Sequence, residues 1–121
     1  MAKLRSVNTS IWADNKVENL CPRGKLLFLY LLTNEYTNMA GIYEVSIRRI
    51  CFDTGIDSKE AVETLLEGLR KGKMAYYVSG FIVLPKFQRH QNLNGNMRKA
   101  VISTVAALPE KLRKTKEFHK W

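Results

Sequence analysis

Along the chain the hydrophobic positions change period several times, and each change marks an element. Val62, Leu65, Leu66 and Leu69 recur at i, i+3, i+4 and i+7, the spacing of one face of a helix. Asp57 and Glu60 form a D-x-x-E variant of the capping box, with Ile56 in the staple position, which predicts a helix over 57–71. Upstream, the run LLFLYLL over 26–32 is far shorter than the roughly 20 residues of a bilayer span and reads as a fully buried helix. Pro22 suits its first turn, and it runs to about Asn34, with Cys21 in the capping slot as a weaker choice than Ser or Asp. Asp14 is placed to cap a short helix ending near Leu20, and residues 4–7 suit a short edge strand. After a polar break at 34–38, GIYEV over 41–45 predicts a strand. Ser46 then caps a helix that buries Ile47, Ile50 and Cys51 and stops at Gly55.

The window from Met74 to Pro85 carries no charge at all and follows a different rule. It divides into strands over 74–78 and 81–84, joined by Ser79 and Gly80, a dipeptide suited to a tight hairpin. Met74, Tyr76 and Val78 alternate with Ala75 and Tyr77, while 81–84 is apolar at every position. A strand apolar on both sides must be covered on both sides. Val62, Leu65 and Leu69 can supply one cover; the other must come from the C-terminal helix, the N-terminal strand or a second copy of the chain. The hairpin therefore reads as core or interface rather than as a reader of DNA. Beyond Pro85, Asn96 caps a helix with Met97, Val101, Val105 and Leu108 on one face, and Pro109 restarts a short basic helix to about Phe118.

Helix, strand, helix, turn, helix and hairpin, in that order, predict a mainly α, α+β fold: a winged helix-turn-helix with a two-strand hairpin wing. Residues 1–95 form that domain, and 96–121 form a C-terminal helical extension with a basic tail. Three segments carry a resemblance: SIWADNKVENLCPRGKLLFLYLLTN, GIYEVSIRRICFDTGI and FQRHQNLNG. Together, through the linked spacing of W-x-D, L-x-P, the apolar helix, G-I-Y and the H-Q pair, they resemble the N-terminal domain of phage replication-initiation proteins. These replisome organisers are themselves similar to the DnaD-type primosomal proteins. The resemblance implies binding at a replication origin and recruitment of replication proteins, without catalysis.

Charge sharpens the picture. The formal net charge is +9, and it is uneven: residues 1–85 hold eleven Lys or Arg against nine Asp or Glu, whereas 86–121 hold nine against two. Such a concentration attracts phosphate backbones; anionic membranes and acidic proteins are competing partners, and a solvated tail is the plain alternative. The helix over 57–71 complicates any groove-reading scheme. Its expected outward pole holds Glu60, Thr64, Glu67 and Lys71, a face that repels phosphate and suits i, i+4 pairing such as Glu67 with Lys71.

The cations at the two ends of the bare window are better candidates. Arg70, Lys71 and Lys73 enter the hairpin and Lys86, Arg89 and His90 leave it, so strand pairing should gather them at its foot, with Arg48 and Arg49 nearby. Lys111, Arg113 and Lys114 of the tail would extend the contact, which would be to duplex DNA, mainly through backbone phosphates. No phosphate loop, serine elbow or metal-spaced carboxylate group is present, so neither an enzyme nor a cofactor is expected. Cys21 and Cys51 are too far apart in sequence for a C-x-x-C and read as free thiols, not as zinc ligands. The N-terminus lacks a secretory pattern, which predicts a cytoplasmic protein, and with the longest apolar run only seven residues no membrane partner is expected. The competing reading is a protein-interaction module of replication or transcription machinery, homo-oligomeric through the hairpin or the C-terminal helix.

Overall fold

The computed structural model describes residues 4–87, 95–119 and 121. It is an α+β protein with seven α-helices among the described residues and one three-stranded antiparallel sheet. A 3-10 turn (Thr9–Ala13) leads into α1 (Asn15–Glu18) and α2 (Pro22–Thr33). Strand β1 (Ile42–Glu44), α3 (Ile47–Thr54), α4 (Lys59–Lys71), β2 (Tyr76–Val78) and β3 (Phe81–Val83) follow, and α5 (Gly95–Ala106), α6 (Glu110–Arg113) and α7 (Lys116–His119) close the chain. No described helix is long and apolar enough to cross a membrane.

The helix boundaries follow local chemistry. The Asp14 carboxylate accepts from the Lys16 and Val17 amides and starts α1. Cys21 Sγ accepts from the Gly24 amide at 3.4 Å at the head of α2, a long contact in keeping with a soft acceptor. Ser46 Oγ caps α3, and Gly55 ends it with φ 77°. At α4 the cap lies one residue later than the sequence suggests: Ser58 Oγ accepts from the Ala61 amide at 3.1 Å. Moving the cap puts Ala61, not Glu60, at the third helical position, so no capping box forms. Asp57 turns outward instead, to meet Arg23 at 3.6 Å.

Three other expectations are corrected. Residues 4–7 form no strand; Leu4 is exposed, and Arg5 anchors the segment by donating Nε to Thr37 Oγ1 and Nη2 to the Thr37 carbonyl, each at 2.9 Å. The apolar helix α2 is not buried all round: Leu27 and Leu31, one turn apart, are fully buried, while Leu26 is 46% exposed. Asn96 does not cap α5 but lies inside its first turn, because the helix begins at Gly95.

The sheet order is β1-β3-β2. Ile42, Val83 and Tyr76 stand in one cross-strand row, Tyr43, Ile82 and Tyr77 in the next, and Glu44, Phe81 and Val78 in the third. Because side chains alternate along a strand, successive rows point to opposite faces. Tyr43, Ile82 and Tyr77 pack with Leu27, Leu31, Ile50, Val62, Leu66 and Leu69 of the helices on the first face. Ile42, Tyr76 and Val83 pack on the second face with Leu108 and Leu112, flanked by Val105, Phe118 and Trp121. The cover over the second face is thus the chain's own C-terminal region. Trp121 also donates Nε1 to the Ala40 carbonyl, closing it over the start of β1.

Ser79 and Gly80 both have positive φ, 53° and 83°, the signature of a primed hairpin turn matched to strand twist. Gly41 meets a stricter demand. Its φ is 74°, and a Cβ there would lie 2.6 Å from Phe87 Cβ, while its carbonyl accepts from the Leu84 amide at 2.8 Å. Behind it, the Tyr43 hydroxyl donates to the Leu31 carbonyl at 2.6 Å and accepts from Asn34 Nδ2 at 2.8 Å. Burial pushes this phenol well above its ordinary range, so it remains a donor throughout the neutral range.

Replacing Gly41 with Ala should cost about 2–4 kcal/mol, since strain at positive φ adds to the steric conflict with Phe87. Leu112→Ala, at a fully buried position, should cost about 2–5 kcal/mol. Urea unfolding checks both, and a cost at Leu112 near zero would show that the second core adds nothing to the first.

Candidate nucleic-acid interface

The hairpin has a foot and a tip, and β1 runs between them. Leu84 donates to the Gly41 carbonyl at the foot, whereas Val45 donates to the Gly80 carbonyl at the tip. Residues just before β2 and just after β3 therefore meet at the foot. Lys73 and Lys86 line one cavity there, of about 210 Å³, together with Lys16 from α1. All three lysines are exposed, and none makes an ion pair with another described residue.

The other predicted cations divide into groups. Arg70 lies in the last turn of α4 with its guanidinium 3.7 Å from Glu67. That pairing replaces the expected one between Glu67 and Lys71. Lys71 instead shares the outward face of α4 with Glu60, Glu63 and Glu67 around a shallow depression, a face with more acids than bases. Arg48 and Arg49 do not join the foot: α3 begins just after Val45, at the tip end of the ribbon. Arg49 is further engaged by Asp53 at 3.2 Å, and its guanidinium lies 5.8 Å from the Tyr36 ring centroid and 5.2 Å from that of Phe52. Asp53 holds this guanidinium more firmly protonated than usual. The same carboxylate accepts from the Tyr30 hydroxyl at 2.6 Å, and burial together with this contact raises the Tyr30 phenol.

Lys111, Arg113 and Lys114 project from α6 around Leu112, which is buried against the foot row of the sheet. They are exposed on the second face, and Lys114 pairs with Glu110 at 3.2 Å. Arg89 and His90 lie outside the described residues. The foot thus gathers Lys73 and Lys86, with Lys16 added, while α6 presents cations from the opposite side of the sheet. Sequence reasoning missed Lys16 because reading 4–7 as a strand gave no reason to bring α1 against the hairpin.

This arrangement offers unpaired, solvated ammonium groups over an apolar surface. It can bind anions through charge, with little directional chemistry to read bases. Among the described residues, no three His, Cys, Asp or Glu side chains gather where they could hold a metal ion. Comparison with family models, curated proteins and solved structures returns no match.

Lys73 has an unusual backbone, with φ 56°. The Met74 amide reaches the Leu69 carbonyl at 3.0 Å, the long bond of a Schellman ending, which puts Lys73 at the position where glycine is normally found. The neighbouring Gly72 takes an ordinary helical φ of −79°. Lys73→Gly should therefore stabilise the fold by about 0.5–1 kcal/mol, the relief of the left-handed strain less the added freedom of the unfolded chain. Thermal unfolding checks this, and a lowered midpoint would mean that the lysine side chain contributes more than its backbone costs.

Proposed function

We propose that the chain is a winged helix-turn-helix module of the phage replication-initiation type, which binds duplex DNA without catalysis. The observation that carries this reading is the element order α2, β1, α3, α4, β2, β3 with strand order β1-β3-β2, joined to unpaired lysines at the hairpin foot. The resemblance of the segments around Trp12, Gly41 and Phe87 supports the replication role. Helix α4 would be the recognition helix of such a fold, yet Glu60, Glu63 and Glu67 on its outward face oppose deep entry into a groove. The contacts are therefore with phosphate, made by Lys16, Lys73 and Lys86 at the foot, while Lys111 and Arg113, on the opposite side of the sheet, add to the positive field. Binding of this kind depends on salt more than on sequence.

A second reading, docking onto replication or transcription proteins, is favoured by one surface feature. Tyr36 and Phe52 flank the Arg49 guanidinium, and Phe52 is 77% exposed. Aromatic and arginine side chains of this kind are enriched where proteins anchor one another. The case for self-assembly through the hairpin is weaker, since α5 to α7 already cover its second face.

Fluorescence anisotropy with a random duplex at several salt concentrations tests the DNA reading. Lys73→Ala and Lys86→Ala should each weaken binding to unrelated duplexes equally and lower the log–log salt slope by about 1. Phe52→Ala should leave DNA affinity unchanged. Absence of binding at low salt would remove the DNA reading, and unequal effects on two duplexes would show that base contacts are made.

A further inference from the structure

The cavity at the foot of the hairpin has features that phosphate binding does not use. Its walls come from Val17, Phe28, Leu32, Met74 and Leu84, contributed by α1, α2 and the two ends of the hairpin. Val17 and Leu84 are buried, and the others are half-buried, so the surface is apolar and backed by the core. Backbone phosphates have no use for such a wall. At about 210 Å³ the cavity falls below the roughly 300–1,000 Å³ typical of small-molecule sites. Its size suits one large side chain, the way anchor residues fill pockets in protein interfaces.

The polar groups narrow the occupant further. Asn8 Oδ1 already accepts from the Ser10 amide and hydroxyl, and Asp14 Oδ1 accepts from the Lys16 and Val17 amides. Both oxygens are engaged in local turns, Asp14 sets one negative charge against the three lysines, and the hydrocarbon wall, Phe28 included, offers no hydrogen bonds to the edge of a base. Around the cavity, the exposed Lys16, Lys73 and Lys86 make no ion pair with any described residue. Three free ammonium groups beside an apolar socket match an apolar anchor flanked by carboxylates. The backbone of Lys73 points the same way. A charged side chain occupies a position whose geometry favours glycine, and backbone strain of this kind clusters at binding and active sites.

We propose that this cavity is a docking socket for an acidic segment of a partner protein, which inserts one aromatic or large aliphatic side chain between α1, α2 and the hairpin foot. The carboxylates beside the anchor meet Lys16, Lys73 and Lys86. Docking is independent of the DNA reading. If DNA also uses these lysines, the acidic segment and the duplex exclude one another, and only that competition rests on the proposed function.

The test is an amide NMR titration of the whole chain with a short glutamate-rich peptide carrying one central phenylalanine. A matched peptide with alanine in its place is the control, and phenylpropionate and phenylpropanol serve as minimal charged and neutral probes. The phenylalanine peptide and phenylpropionate should shift the amides of Val17, Phe28, Met74 and Leu84, and phenylpropanol should do so more weakly. The alanine peptide should leave those amides in place. Lys73→Gly and Lys86→Ala should each lower the peptide's affinity by up to about fivefold, while the unfolding midpoint of Lys73→Gly holds or rises. Equal responses to the two peptides, or shifts confined to other surfaces, would overturn the proposal. So would a result in which only single-stranded oligothymidylate perturbs the cavity amides, because the occupant would then be a base.

Discussion

The structure depends on covering both faces of β3. Ile82, Val83 and Leu84 are all buried, although successive residues of a strand point to opposite sides. No single layer can achieve this. Ile82 and Leu84 face the packed helices α2, α3 and α4, and Val83 faces α6 across the row formed with Ile42 and Tyr76. The central place of β3 follows from the same demand, because a strand paired on both edges and covered on both faces leaves no backbone group exposed for a stray partner. The C-terminal helices are thus a wall of the core and not a loose appendage.

That two-sided burial also explains where the charge goes. Cations cannot lie within the ribbon, so they collect just outside its ends, at Lys73 and Lys86, and on the outer side of α6 around Leu112. Helix α4 obeys the same separation. Val62, Leu66 and Leu69 are buried, which leaves Glu60, Glu63 and Glu67 facing solvent. The outer face of α4 is therefore acidic, whereas the foot is basic. Arg49 is held by Asp53 and two aromatic rings, while Arg70 and Lys114 each pair with a glutamate of their own helix, so these charges are used locally.

The foot combines charge with concavity, and its geometry comes from three remote pieces of chain. Arg5 fastens the N-terminal segment to Thr37, Asp14 starts α1, and Gly41 lets β1 pass close beneath Phe87. Only the Asp14 cap is local; the other two join distant segments, and together they bring Lys16 to the two lysines of the hairpin. A strained backbone at Lys73 completes the group.

Much of this was legible in the residues alone. The 3.6-residue period of Val62, Leu65, Leu66 and Leu69, the caps at Asp14 and Ser46, and the stop at Gly55 are local signals, and α1, α3 and α4 follow them. The turn at Ser79 and Gly80 and the need for a second cover were also legible, because alternation and burial are properties of the strand itself. Which segment supplied that cover was not, since several apolar faces could have served and only packing chose α5 to α7. The cap of α4 moved to Ser58 because Ser58 and Asp57 are both good caps, and local propensity cannot rank adjacent candidates. The charged sites were the least legible part. Solvated side chains carry no periodic signal, so Lys16 joined the foot and Arg48 left it only when distant segments were brought together by the core.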